Sequence, residues 1–97
     1  RLPNTMRAKM KHLEITSEAL KLLAPRGAVY GTVRENHERI ARIASELTKA
    51  PLGAFDVAMV LLAVKLSRIA QSPDHVDSYV DAINYLSFAG EFATDEG

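Results

Sequence analysis

The sequence predicts an all-α protein folded as a compact four-helix bundle. Apolar residues recur at helical spacing in four separate segments, and the prolines and glycines fall mainly between those segments. The composition agrees: 47% hydrophobic and 25% charged residues, with five Gly and four Pro, describe an ordinary globular domain rather than a disordered or fibrous chain. The helices are expected at about 10–24, 33–48, 54–71 and 73–93, the last two forming an antiparallel hairpin.

In "MKHLEITSEALKLLA", Leu13, Ala19, Leu20, Leu23 and Ala24 share a stripe, and the pattern stops before Pro25. "PRGAVYGT" follows as a loop with two glycines. It matches neither GxGxxG nor GxxxxGK[ST], so no recognised phosphate loop is present. Residues 33–48 set Ile40, Ile43, Ala44 and Leu47 on one face. Glu35 and Arg39, and Glu38 and Arg42, are i,i+4 pairs on the other, each contributing only about 0.2–0.5 kcal/mol. Residues 55–70, "FDVAMVLLAVKLSRIA", are apolar almost all round, which predicts the central helix of the bundle. "QSPD" reads as a junction with Ser72 as N-cap, Pro73 in the first helical position and Asp74 in the first turn. The last helix then carries Val76, Val80, Ile83 and Leu86, extended by Tyr79 and Ala89.

Ninety-seven residues form one domain, expected at 10–93 between a flexible N-terminal segment, 1–9, and a flexible tail, 94–97. A chain this short buries only about 60–65% of its unfolded surface, so self-association into a homo-oligomer is expected. With no Cys, disulfides, thiolate zinc sites and a Cys nucleophile are excluded, and a reducing, cytoplasmic setting is expected. The most apolar run, Val57–Val64, ends at Lys65, short of a bilayer span, and no signal-peptide pattern opens the chain, so no membrane partner is expected. The zero net charge is divided unevenly: residues 1–50 carry ten Lys or Arg against five Glu, and residues 51–97 carry two against seven acids. This split suits head-to-tail pairing or cohesion between the halves. Nucleic-acid binding is disfavoured because Arg34, Arg39 and Arg42 alternate with Glu35 and Glu38.

The polar residues that stand out are those around the 54–71/73–93 junction. Arg68 and Asp77 are level across the hairpin, and so, within a turn, are Lys65 and Asp81; Asn84 extends the carboxylate face. Two readings follow. The four charges can pair and fix helix register. Alternatively, with His75, the Gly27–Gly31 loop, Tyr30, Asn36 and His37, they line a pocket in which Lys65 or Arg68 meets phosphate and the carboxylates meet a metal or act as a base. GxSxG, HExxH and EF-hand patterns are absent.

The segments "RGAVYGTVRENHERIA" and "DVAMVLLAVKLSRIAQSPDHVDSYVDAINYLSFAGE" resemble a family of short phage and prophage proteins of unknown function, over about residues 13–93. Its pattern is a YG loop, an N-H or N-F pair, a DVA helix with K-x-x-R, then H-x-DS and D-hydrophobic-x-x-Y. That family is distantly similar to the MazG-type all-α NTP pyrophosphatases, which hold magnesium with E-x-x-E and E-x-x-D helices. The resemblance implies nucleotide as ligand and Mg2+ as cofactor, with Asp81 as the final acid of the second motif and Asp77 as the nearest acid upstream. The preceding helix departs from it by offering Lys65 and Arg68 where glutamates would stand.

The expected function is therefore binding of a nucleotide or other phosphate-bearing ligand in a helical oligomer, with Tyr30, Asn36, His37, Lys65, Arg68 and His75 as ligand-binding residues. If hydrolysis occurs, Asp77 and Asp81 hold magnesium or orient water. The rival expectation is a non-enzymatic adaptor or counter-defence protein that docks on a host or phage protein, its charges purely structural.

Overall fold

The structure is a computed structural model that describes residues 10–23 and 31–95. The expected flexible segment 1–9, the first part of the glycine loop including Gly27 and Tyr30, and residues 96–97 lie outside the described residues. Four α-helices are described: α1 (His12–Leu23), α2 (Val33–Thr48), α3 (Ala54–Gln71) and α4 (Val76–Thr94). Their packing gives the all-helical bundle that the periodicity predicts, with α3 against α4, α1 against α4, and α2 against α3.

Local chemistry sets the helix ends. The Thr32 hydroxyl accepts from Glu35 N–H at 3.0 Å, and Glu35 Oε1 accepts from Thr32 N–H at 2.7 Å, closing a reciprocal capping box at the start of α2. Gly31 precedes it at φ 82°, in the left-handed region that favours glycine, and a Cβ there would lie 2.8 Å from Glu35 Oε1 and displace the capping carboxylate. At the other end of α2, Lys49 is left-handed at φ 59°. Ser45 Oγ donates to Leu52 O at 3.2 Å and accepts from Leu52 N–H at 2.9 Å, tying α2 to the stretch of chain that enters α3. Gly53 N–H donates to Asp56 Oδ2 at 2.8 Å to open α3.

The α3–α4 junction differs from the expected one. Ser72 N–H donates to Arg68 O at 2.8 Å, and His75 N–H donates to Ser72 O at 3.1 Å. Ser72 thus ends α3, and Ser72-Pro73-Asp74-His75 closes as a β-turn with proline in the second position, where its fixed φ fits. His75, not Ser72, is the N-cap of α4. The Tyr79 hydroxyl donates to Pro73 O at 2.8 Å and holds the turn.

The core sits on α4 rather than α3. Ala19, Val76 and Val80 form its centre, with Met10, Ile15, Leu22 and Ile83 packed around them. Leu13 and Leu20 of the expected α1 stripe face out, as do Ile43 and Leu47 of α2, where His37 and Ala41 are buried instead. On α3 only Val57, Ala58 and Leu62 are buried, while Phe55, Met59, Val60, Val64 and Leu66 are exposed, so the most apolar helix is not the central one. Apolar composition requires burial without saying whether one chain supplies it. At the chain's far end α4 runs to Thr94, and Asp95 Oδ2 accepts from Arg34 at 2.6 Å.

Candidate functional site

Lys65 and Asp81 are brought together. Lys65 Nζ lies 3.0 Å from Asp81 Oδ2, with the two side chains only 16% and 10% exposed. In so sheltered a place each charge answers the other, and the pair is costly to break. Of the two cross-helix pairs that the register predicts, this one is formed. Asp77 stands in the first turn of α4, where the helix dipole favours a carboxylate.

Arg68 is placed differently. It is exposed, and with Gln71, Ser72, His75 and Ser78 it lines a groove of about 240 Å³ at the α3–α4 turn. His75 Nδ1 lies 3.1 Å from the hydroxyl of buried Ser78, which orients the imidazole along the groove wall. A guanidinium fork, an imidazole and a hydroxyl lining one groove are donors suited to phosphate oxygens. Ser78 and Gln71 are site residues that sequence reasoning missed, and the H-x-DS pattern is the only visible trace of Ser78.

Asn36 and His37 do not join this groove. Asn36 Oδ1 accepts from Arg39 at 3.3 Å on the surface of α2. His37 is 4% exposed, its Nδ1–H donates to Val33 O at 2.9 Å, and its ring meets Phe88 and Phe92 edge-on at 5.7 and 5.3 Å. Because Phe88 lies well along α4 from His75, the two histidines are separated by roughly 20 Å at 1.5 Å per residue. His37 Nε2 has no hydrogen-bond partner among the described residues. The expected single pocket therefore divides into a packing site on α2 and a polar groove at the turn, with Tyr30 outside the described residues.

The donor set does not suit magnesium. Asp81 already holds a lysine ammonium, and among the described residues no three His, Asp or Glu side chains converge as a metal site. A wider cleft of about 630 Å³ lies between α2 and α3, lined by Arg34, Arg42, Phe55 and Phe92 among others. Arg34 is engaged there by Asp95 at 2.6 Å and lies 4.8 Å over the Phe92 ring. Its cation already stands among its own chain's anion and aromatic ring, so this cleft is the weaker anion site.

Asn84, expected to extend the carboxylate face, is buried instead. Its Nδ2 donates to Ala19 O at 3.0 Å, joining α4 to α1. Among the described residues no helix is long and apolar enough to cross a membrane. Residues 14–93 match the family described as a domain of unknown function, DUF6378, and the chain belongs to that family. No curated protein and no solved structure matches it.

Proposed function

We propose that this DUF6378 chain is a phosphate-recognition protein, acting as a homo-oligomer, that takes a nucleotide or similar phosphate-bearing ligand at the α3–α4 turn. The observation that carries this reading is the contrast within one K-x-x-R motif: Lys65 is engaged by Asp81, whereas Arg68 is exposed beside His75 in the groove. Arg68 supplies the charge and fork geometry for phosphate oxygens, and the imidazole of His75 and the hydroxyl of Ser72 supply further donors. The phage-type origin and distant MazG likeness belong to this reading as expectations carried by the motifs, and the cytoplasmic location as one carried by the lack of Cys. Magnesium-dependent pyrophosphohydrolysis does not, because Asp81 meets a cation where that chemistry needs a carboxylate open to the metal.

Titration calorimetry with ATP, GTP and pyrophosphate tests the proposal. Saturable binding that weakens at least about tenfold in Arg68→Gln is expected, the loss of one charge-assisted contact being about 1.5–3 kcal/mol. Failure of the wild-type chain to bind any of the three at millimolar concentration overturns it. A second reading, docking on another protein, is favoured by Leu13 and Leu20 on α1 and Leu47 on α2, which are 71%, 70% and 79% exposed.

A further inference from the structure

We propose that the outward face of α3 is a homodimer interface, in which α3 of two copies packs antiparallel about a two-fold axis near Ala63. The inference rests on the homo-oligomer part of the reading above and is independent of its ligand. The face consists of Met59, Ala63, Leu66 and Ala70 at alternating four- and three-residue spacing, flanked by Phe55, Val60 and Ser67, all exposed. Val60 is 60% exposed and Leu66 52%. From Val57 to Val64 there is no charged residue, and Lys65 turns inward to Asp81.

Three features identify the occupant as a second copy. The single chain has little core of its own: the largest fully buried side chains among the described residues are Val80 and Ser78, so an apolar helix lacks cover on one side. A two-fold axis sets a surface against itself, which a charged stripe resists; this one is uncharged from Val57 to Val64, and the carboxylate of Asp56 is set level with Ala70 rather than with its own copy. With the axis at Ala63, Met59 of one copy lies level with Ser67 of the other, and Asp56 with Ala70. Met59 then meets a small group, Leu66 lies level with Val60 as an apolar pair, alanine faces alanine at the crossing, and the helix dipoles oppose. The large side chains of the face leave on the order of 400 Å² open per copy. With Ala63, Ser67 and Ala70 added, a pair hides roughly 1,000 Å², the threshold for a specific interface.

Sedimentation equilibrium of the full chain is expected to give twice the 10.6 kDa chain mass at high micromolar concentration. Ala63→Glu, which sets two carboxylates against each other at the axis, is expected to weaken association roughly 100-fold while far-UV circular dichroism stays helical. The chain has no Cys, so Ala63→Cys gives a clean second measurement: rapid disulfide dimerisation under mild oxidation, against none for Lys49→Cys beyond the end of α2. A wild-type chain that stays monomeric, an Ala63→Glu chain that stays dimeric, or an Ala63→Cys chain that cross-links no faster than the control overturns the proposal and leaves the face to a different partner. Loss of ATP binding with an intact dimer overturns only the ligand reading, and the converse result only this one.

Discussion

Lys65 and Asp81 form a sheltered ion pair between α3 and α4, 3.0 Å from nitrogen to oxygen, one turn away from an arginine left at the surface. The pair takes one cation and one carboxylate out of any ligand chemistry and makes the neighbouring groove depend on Arg68.

Lys65→Met is expected to cost about 3 kcal/mol, because it takes away the ammonium that meets the Asp81 carboxylate in a sheltered, low-dielectric place. Urea unfolding measures this loss, and adding Asp81→Leu is expected to restore most of it. If Lys65→Met instead abolishes ATP binding with an unchanged midpoint, the lysine is a ligand residue and its structural assignment fails.

Asn84→Ala removes the donor that reaches Ala19 O from α4. A loss of about 1–2 kcal/mol is expected. Hydrogen exchange is expected to show α1 opening first, with α3 and α4 still protected.

His37→Phe is expected to change stability by less than about 1 kcal/mol, since the ring replaces a ring against Phe88 and Phe92 and Nε2 has no partner to lose among the described residues. His37→Ala is expected to cost about 3 kcal/mol through the cavity it leaves. Unchanged ATP affinity in His37→Phe checks that the residue packs rather than binds.

Glu35 is held below its usual carboxylate pKa by the Thr32 backbone N–H first, then by the Thr32 hydroxyl, with a smaller effect of the Arg39 charge; slight burial opposes them. Its folded-state pKa is depressed, so the capping contribution is complete above the ordinary value of 4.5 and is lost as pH falls through the lower folded value. Thr32→Ala is expected to cost about 1 kcal/mol at neutral pH and to make that acid limb shallower without removing it, since the backbone N–H at position 32 remains, as thermal melts across the acid range will show.

The fold is legible in the sequence because each helix carries its own period and its own breaks. The end of α2 at Thr48, the start of α3 at Ala54 and its end at Gln71 all lie where those local signals put them. The start of α4 is ambiguous because Ser-Pro-Asp-His suits a helix N-terminus and a β-turn equally, and the hydrogen bond from His75 to Ser72 decides between them. Side-chain placement is less legible. Leu13, Leu20, Ile43 and Leu47 have the right spacing for a core but face outward, since α1 and α2 present other stripes to α4 and α3. At the site, hairpin register identifies Lys65–Asp81 correctly. Nothing in the spacing of His37 and His75 reveals that they lie at distant levels of α4, because α2 crosses near its C-terminal half, beside Phe88 and Phe92.

The smallness of what is fully enclosed has a consequence for mutational tolerance. With Val80 and Ser78 the largest fully enclosed side chains among the described residues, few positions can lose a large apolar group to leave a void. A saturation library selected for folding should thus tolerate aliphatic exchange along most helices. Depletion should concentrate at Ser78, Asp81 and Asn84, buried polar residues whose loss disturbs partners rather than volume, and at His37 for substitutions that empty its place against Phe88 and Phe92.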